Sequence, residues 1–331
     1  MEVEMGSARK KTRVAALSVA SNSLLIILKV AVGLLTGSVA ILSEAIHSGV
    51  DLVAALIALF AVRASSREAD DRHPYGHGKF ENISGTVEAL LIFVAAAWII
   101  YEAVKKLIHP QAIEMPGWGV AVMLVSALVN TFVSRRLFKV GKETDSVALQ
   151  ADAWHLRTDV YTSVGVMVGL LVIWVGGALW PGLNLTWLDP AVAILVACLI
   201  MKAAYDLTRE SARDLLDVSL PDQDVEWIHG FVAERWPAVR SFHKLRTRKA
   251  GSTRFIDFHV VVDDRMSVAE AHALADEIVV AVKERVSESR VFIHVEPCDY
   301  ECRASCVTGC AVDEEAREQG RSQAPSKSPP V

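Results

Sequence analysis

"SEAIHSGVDL", Ser43–Leu52, interrupts a run otherwise built from Ala, Val, Ile and Leu. It sets Glu44, His47 and Asp51 inside a stretch long enough to be a membrane-spanning helix. An acidic or basic side chain at the centre of such a helix costs at least about 2.5 kcal/mol. A chain that keeps several of them there has a use for them. His47 and Asp51 are four residues apart, so a helix turns both to one face, about 6 Å apart along its axis.

The spacing recurs in "DAWHLRTDV", where His155 and Asp159 are again four apart in a second apolar run. One such pair serves equally well as a hydrogen bond between two helices. Two pairs with one spacing argue for a shared ion, because together they offer four N and O donors to a tetrahedral divalent metal. Charge points the same way. Two facing carboxylates repel in a low dielectric, a dication cancels them, and neutral imidazoles complete the shell without adding charge. Metal binding needs deprotonated ligands, so protons and metal compete for such a site.

The surrounding chain fits a polytopic membrane protein. It has 331 residues, 52% of them hydrophobic. Six spans are expected, at 14–36, 39–62, 83–104, 117–138, 148–179 and 187–207. Basic residues gather in "ARKKTR", in the loops with Arg63, Arg67, Arg72 and Lys79 and with Arg135, Arg136, Lys139 and Lys142, and at Arg209 and Arg213. The opposite links carry fewer, with Lys105 and Lys106 after the third span, which puts both termini in the cytoplasm of a cell-membrane protein. "ARKKTR" leads into a full-length apolar span, which argues against a cleavable leader. A net charge of -5 gives no reason to expect nucleic acid as a partner.

After Pro221 the pattern changes to α-β-β-α-β. "DVEWIHGFVAERW" reads as an amphipathic helix. "SFHKLRTRKAG" and "TRFIDFHVVVD" read as strands around a Gly turn, and "RVFIHVEP" as a closing strand. Ser267 and Glu270 form a capping box ahead of the apolar stripe Ala271, Leu274, Ala275, Ile278 and Val282. The expected organisation is a cytoplasmic segment over 1–13, a six-helix all-α membrane domain over 14–210 and a cytoplasmic α+β domain of ferredoxin-like, metallochaperone-like type over 211–297. A Cys-containing and otherwise disordered tail follows over 298–331.

Further donors cluster outside the spans. "ADDRHPYGHGKFE" holds Asp70, Asp71, His73 and His77 in a loop shaped by Pro74, Gly76 and Gly78, a candidate second metal site. In the C-terminal domain His294 and Glu296 share one strand face, and His259 shares its face with Phe255, Asp257 and Val261. Cys298, Cys302, Cys306 and Cys310 form C-x3-C-x3-C-x3-C, which lines up along one side if helical. Adjacent pairs suit a soft metal such as Zn, Cd or Cu(I). Cys198, alone in an apolar run, is expected to be buried packing. Lys29, mid-span, reads as a structural or snorkelling lysine in preference to one paired with a carboxylate, and Arg157 as a headgroup or interhelix contact.

The two H-x3-D pairs, the six spans, the "DDRHPYGHGKFE" loop and the αββαβ tail resemble the cation diffusion facilitator family of metal exporters over residues 13–297. The resemblance implies a homodimer that exchanges a divalent metal for protons by alternating access. It assigns the transport site to His47, Asp51, His155 and Asp159, and a loop site to Asp70, His73 and His77. It maps a dimer-interface metal cluster onto His243, His259, His272, His294 and Glu296, and implies a Lys79–Asp217 salt bridge between the membrane and cytoplasmic parts. A two-His, two-Asp quartet resembles the members selective for Zn2+ and Cd2+, and imidazole favours Zn over Mg and Mn. An Fe2+, Co2+ or Mn2+ exporter of the same family is the alternative.

Two other classes compete. Glu44-x-x-His47 and Asp152-x-x-His155 also fit the helix-borne carboxylate/His pattern of a di-iron enzyme, which would need two further bridging carboxylates on other helices, with Glu88 the main candidate. A membrane-anchored metal sensor that does not transport would share the tail but leave the intramembrane quartet without a purpose. The expectation is a transporter and not an enzyme, with Zn2+ as cargo and regulator.

Overall fold

The computed structural model describes residues 2–36, 39–108, 117–179, 187–299, 310 and 312–323. The chain divides into two compact units, Met1–Leu215 and Leu216–Val331.

The first unit is helical: α1 (Glu2–Thr36), α2 (Val39–Ser65), α3 (Lys79–Ile108), α4 (Gly117–Glu143), α5 (Val147–Leu179) and α6 (Leu188–Leu215). Among the described residues, five of these (α1 to α4 and α6) are long and apolar enough to cross a bilayer. α5 runs for 33 residues beside them. It is the hub of the packing. Val147 and Ala151 pack with Ala89, Ile92 and Ala96 of α3 and Ile200, Ala204 and Leu207 of α6. Ala148, Leu149, Ala153 and Leu156 pack with Ala15 of α1, Leu59 and Val62 of α2 and Leu137 of α4. Small residues allow such close backbone approach where lipid supplies no hydrophobic drive. Gly85 marks the tightest place, since an added Cβ would lie 2.8 Å from both Ser211 Oγ and Val147 Cγ1.

α1 starts well before the expected span. "ARKKTR" is helical, and Lys11 is buried against Glu81 at 3.0 Å. Cys198 is a correction of the opposite kind: it is exposed on α6. Its neighbour Ala197 faces inward with Ile200, so one residue's rotation of about 100° turns the thiol outward.

The second unit contains α7 (Asp222–Arg235), β1 (Ser241–Ala250), β2 (Thr253–Val262), α8 (Val268–Arg285), β3 (Ser289–Pro297) and α9 (Glu314–Gln323). The sheet order is β1-β2-β3. β1 and β2 are antiparallel around Gly251 at φ 60°, a left-handed conformation that glycine adopts without strain. β2 and β3 are parallel, joined through α8. Ser267 caps α8 in the full reciprocal box with Glu270. Ile228 and Val232 of α7 and Ile278 and Val282 of α8 cover Ile256, Phe258, Val260 and Phe242, forming one core. The other sheet face carries the histidines.

The tail departs from the expected disorder. Glu314–Gln323 is helical, with Glu314 and Glu315 in the first turn where they favour the helix dipole. Cys310 forms an antiparallel bridge with Ser241, and the Cys298 amide donates to the Val262 carbonyl at 2.9 Å. Both described thiols are free. Cys302 and Cys306 lie outside the described residues.

Candidate metal centres

In the membrane unit, α2 and α5 bring their donors together. One donor atom from each of His47, Asp51 and Asp159 lies within 4.8 Å of the others. His155 joins through Asp51, with Nε2 3.1 Å from Asp51 Oδ1, and its Nδ1 has no hydrogen-bond partner. Asp51 and His155 are 5% and 6% exposed, so both are withdrawn from solvent in the helix bundle. His47, Asp51 and Asp159 line a cavity of about 170 Å³ together with Lys29, Ser48 and Asn130. His47 is exposed and Asp51 buried, and two carboxylates with an imidazole around one small cavity suit a dication. Arg157, between the α5 ligands in sequence, instead lies over the Phe138 ring at 4.7 Å, which makes it an α4–α5 contact.

The loop before α3 makes a second group, with donor atoms of Asp70, His73 and His77 within 4.8 Å of one another. Asp70 Oδ1 accepts the backbone amides of Arg72 and His73 at 3.0 and 2.7 Å, an Asx turn that fixes its carboxylate. The His73 amide chiefly holds Asp70 below the usual carboxylate range, against a weaker burial effect. His77 Nδ1 lies 3.1 Å from the Glu68 carbonyl, so it carries the proton and leaves Nε2, 3.4 Å from Asp70, free to ligate. Gly76, at φ 87°, makes the bend that returns His77 to Asp70.

The third group lies on the open face of the sheet. Register aligns His243 with His259 and His259 with His294, one row across three strands. Glu296 sits below that row. Its Oε2 is 3.2 Å from His243 Nε2, and its Oε1 is 2.8 Å from His259 Nδ1 and 3.7 Å from His294 Nε2. Burial alone would raise Glu296, but the His259 hydrogen bond and the charges of His259, Lys244 and His243 bring it below its ordinary value. Burial pushes the His243 imidazole down, against the attraction of Glu296. His272 is not part of this group in a single chain. It lies exposed on α8 beside Asp276 at 3.6 Å, because α8 packs on the covered face of the sheet.

The strand pattern did not reveal how His243 joins the row. β1 bulges between His243 and Arg246, with Lys244 at φ 53°. A one-residue bulge shifts every later side chain to the other face, and no simple alternation contains it. Sequence reading also missed the buried node at Glu81, which accepts Lys11 and the Ser65 hydroxyl at 3.0 and 2.8 Å. The Ser146 hydroxyl donates to its second oxygen. Lys79 donates to the Leu215 carbonyl at 3.3 Å, and Asp217 pairs with Arg248 at 3.2 Å.

An all-helical membrane unit with an intramembrane His/Asp cluster, followed by an α+β unit with its own His/Glu cluster, defines a membrane transporter for metal cations. The chain belongs to the cation efflux family: the cation efflux transmembrane domain matches residues 15–216, and the cation efflux protein cytoplasmic domain matches residues 220–298. A transporter of Synechocystis sp. is 40% identical over 273 residues, 82% of this chain and 86% of that protein. The cation-efflux pump FieF of Escherichia coli is 33% identical over 290 residues, 88% and 94% of the two chains. The metal-bound C-terminal domain of the CzcD transporter from Thermotoga maritima is 36% identical over 23% of this chain and 90% of that one, with a TM-score of 0.22. The family is one of transporters, which removes the di-iron enzyme reading.

Proposed function

We propose that this transporter exports Zn2+, with Cd2+ as a second cargo, in exchange for protons, by alternating access within a homodimer. The observation that carries the reading is the convergence of His47, Asp51 and Asp159, with His155 against Asp51. Imidazole donors favour zinc over magnesium and manganese, and carboxylates supply the charge that a dication cancels. A ligand must lose its proton to bind metal, so acid on the release side displaces the cargo and reloads the same side chains with protons. The excess of Lys and Arg in the 63–79 and 135–142 segments supports termini in the cytoplasm.

The loop group and the sheet group act as resident metal sites in this reading. Asp70, His73 and His77 provide mixed N and O donors, as do His243, His259, His294 and Glu296. His272 completes the sheet site from the second copy of the dimer, which would account for its exposure in one chain. The 211–297 region senses metal there and tightens the dimer. Capture of soft metal by Cys298, Cys302, Cys306 and Cys310 belongs to the same proposal.

The test is metal uptake into proteoliposomes under a pH gradient, comparing Zn2+, Cd2+, Fe2+, Co2+ and Mn2+. Zinc uptake is expected to lead, and Asp51→Ala and Asp159→Ala to abolish it. Uptake undiminished in both variants would refute the assignment.

A further inference from the structure

The cavity that holds His47, Asp51 and Asp159 is also lined by a lysine. Lys29 enters from α1, is 5% exposed, and donates from Nζ to Ser48 Oγ at 2.7 Å. Ser48 follows His47 directly and precedes Asp51 by three residues, so it shares the α2 face of Asp51. Its hydroxyl therefore holds the ammonium at the wall of the cargo cavity. A snorkelling lysine would instead extend its charged end toward the membrane surface.

We infer that Lys29 is a tethered counter-cation of the transport cavity, which sets cargo affinity and release. The inference rests on the proposed transport site. Between loss of the metal and reloading by protons, Asp51 and Asp159 leave negative charge in a confined space, and the fixed ammonium offsets part of it. With the metal bound, the same ammonium repels the cargo. Two like charges sharing one cavity of about 170 Å³ interact strongly enough to matter against either state. Lys29 thus lowers the affinity for the loaded ion and stabilises the emptied cavity, which favours turnover over retention. The choice of lysine fits, since its ammonium is a compact point charge on a long stem.

The experiment is Zn2+ uptake by the full chain in proteoliposomes, with KM and kcat measured separately for Lys29→Met, Lys29→Gln and Lys29→Arg. Removing the charge is expected to lower KM by about tenfold and to lower kcat with it, because the cargo binds more tightly and leaves more slowly. Lys29→Arg keeps the charge and stays nearer the parent KM. An unchanged or raised KM in both neutral variants would overturn the inference. So would failure of both to fold while Lys29→Arg folds, which would make Lys29 a structural residue. Asp51→Ala, run in parallel, separates the two levels. Loss of uptake there with unchanged KM in the neutral variants refutes only the role of Lys29, whereas undiminished uptake there removes both.

Discussion

His47 and Asp51 were legible as a pair because a four-residue step on a helix is a fixed geometry, and the recurrence at His155 and Asp159 made them a quartet. In the proposed transport site, exchanging imidazole for carboxylate is the lever on selectivity. His47→Asp is expected to weaken discrimination of zinc against manganese, read as the ratio of initial uptake rates; an unchanged ratio would count against the imidazole's role. At the sheet, Glu296 is the carboxylate that three histidines face, so if the proposed site binds zinc, Glu296→Gln is expected to lower bound zinc per chain by at least one ion, measured by elemental analysis of purified protein. The metal-free protein also has a definite pH response. Glu296 and His243 both sit below their ordinary values, so the unfolded chain takes up their protons first on acidification. Their contribution to stability is present above the unfolded His value near ~6.5 and shrinks as pH falls, in a further step below the unfolded Glu value near ~4.3. Melting of metal-free protein should therefore shift to lower temperature from pH 7 to pH 4.

Elements were readable where pattern and period agree. Ser267 and Glu270 announce α8, and the bonds of the full box are present. Ser267→Ala is expected to lower the stability of the C-terminal unit by about 1 kcal/mol, measurable by denaturant unfolding of that unit's signal. At the meeting of α3, α5 and α6, Gly85→Ala puts a methyl 2.8 Å from Val147 and Ser211, so it should destabilise the membrane unit by about 1–3 kcal/mol. Unaltered thermal inactivation in detergent would refute that tight contact. The strand order was likewise readable, since alternation and the Gly251 turn set the hairpin. The β1 bulge was not, because it breaks the period on which the reading rests. Nor was the early start of α1: "ARKKTR" looks like a solvated basic segment until Glu81, 70 residues later, supplies the buried partner of Lys11. Contacts at that separation leave no local signature.

At the scale of the molecule, a membrane unit carries the proposed cargo site and a second unit carries the sheet with the His/Glu cluster, in one chain of the cation efflux family. Composition made this division visible, because the apolar runs end before Pro221 and the αββαβ pattern follows. The destination of His272 was invisible to local pattern, because α8 turns it away from the sheet row. If the second copy supplies it, His272→Ala should weaken zinc-dependent dimerisation, seen as a higher dimer dissociation constant with zinc and no change without it. The central claim is that metal and protons take turns on the same four membrane side chains. Simultaneous recording of zinc uptake and internal pH in proteoliposomes tests it most directly. Zinc entry should be matched by proton movement in the opposite direction, and both fluxes should vanish together in Asp51→Ala and Asp159→Ala. Zinc entry with no accompanying proton flux, or fluxes that survive in both variants, would contradict it.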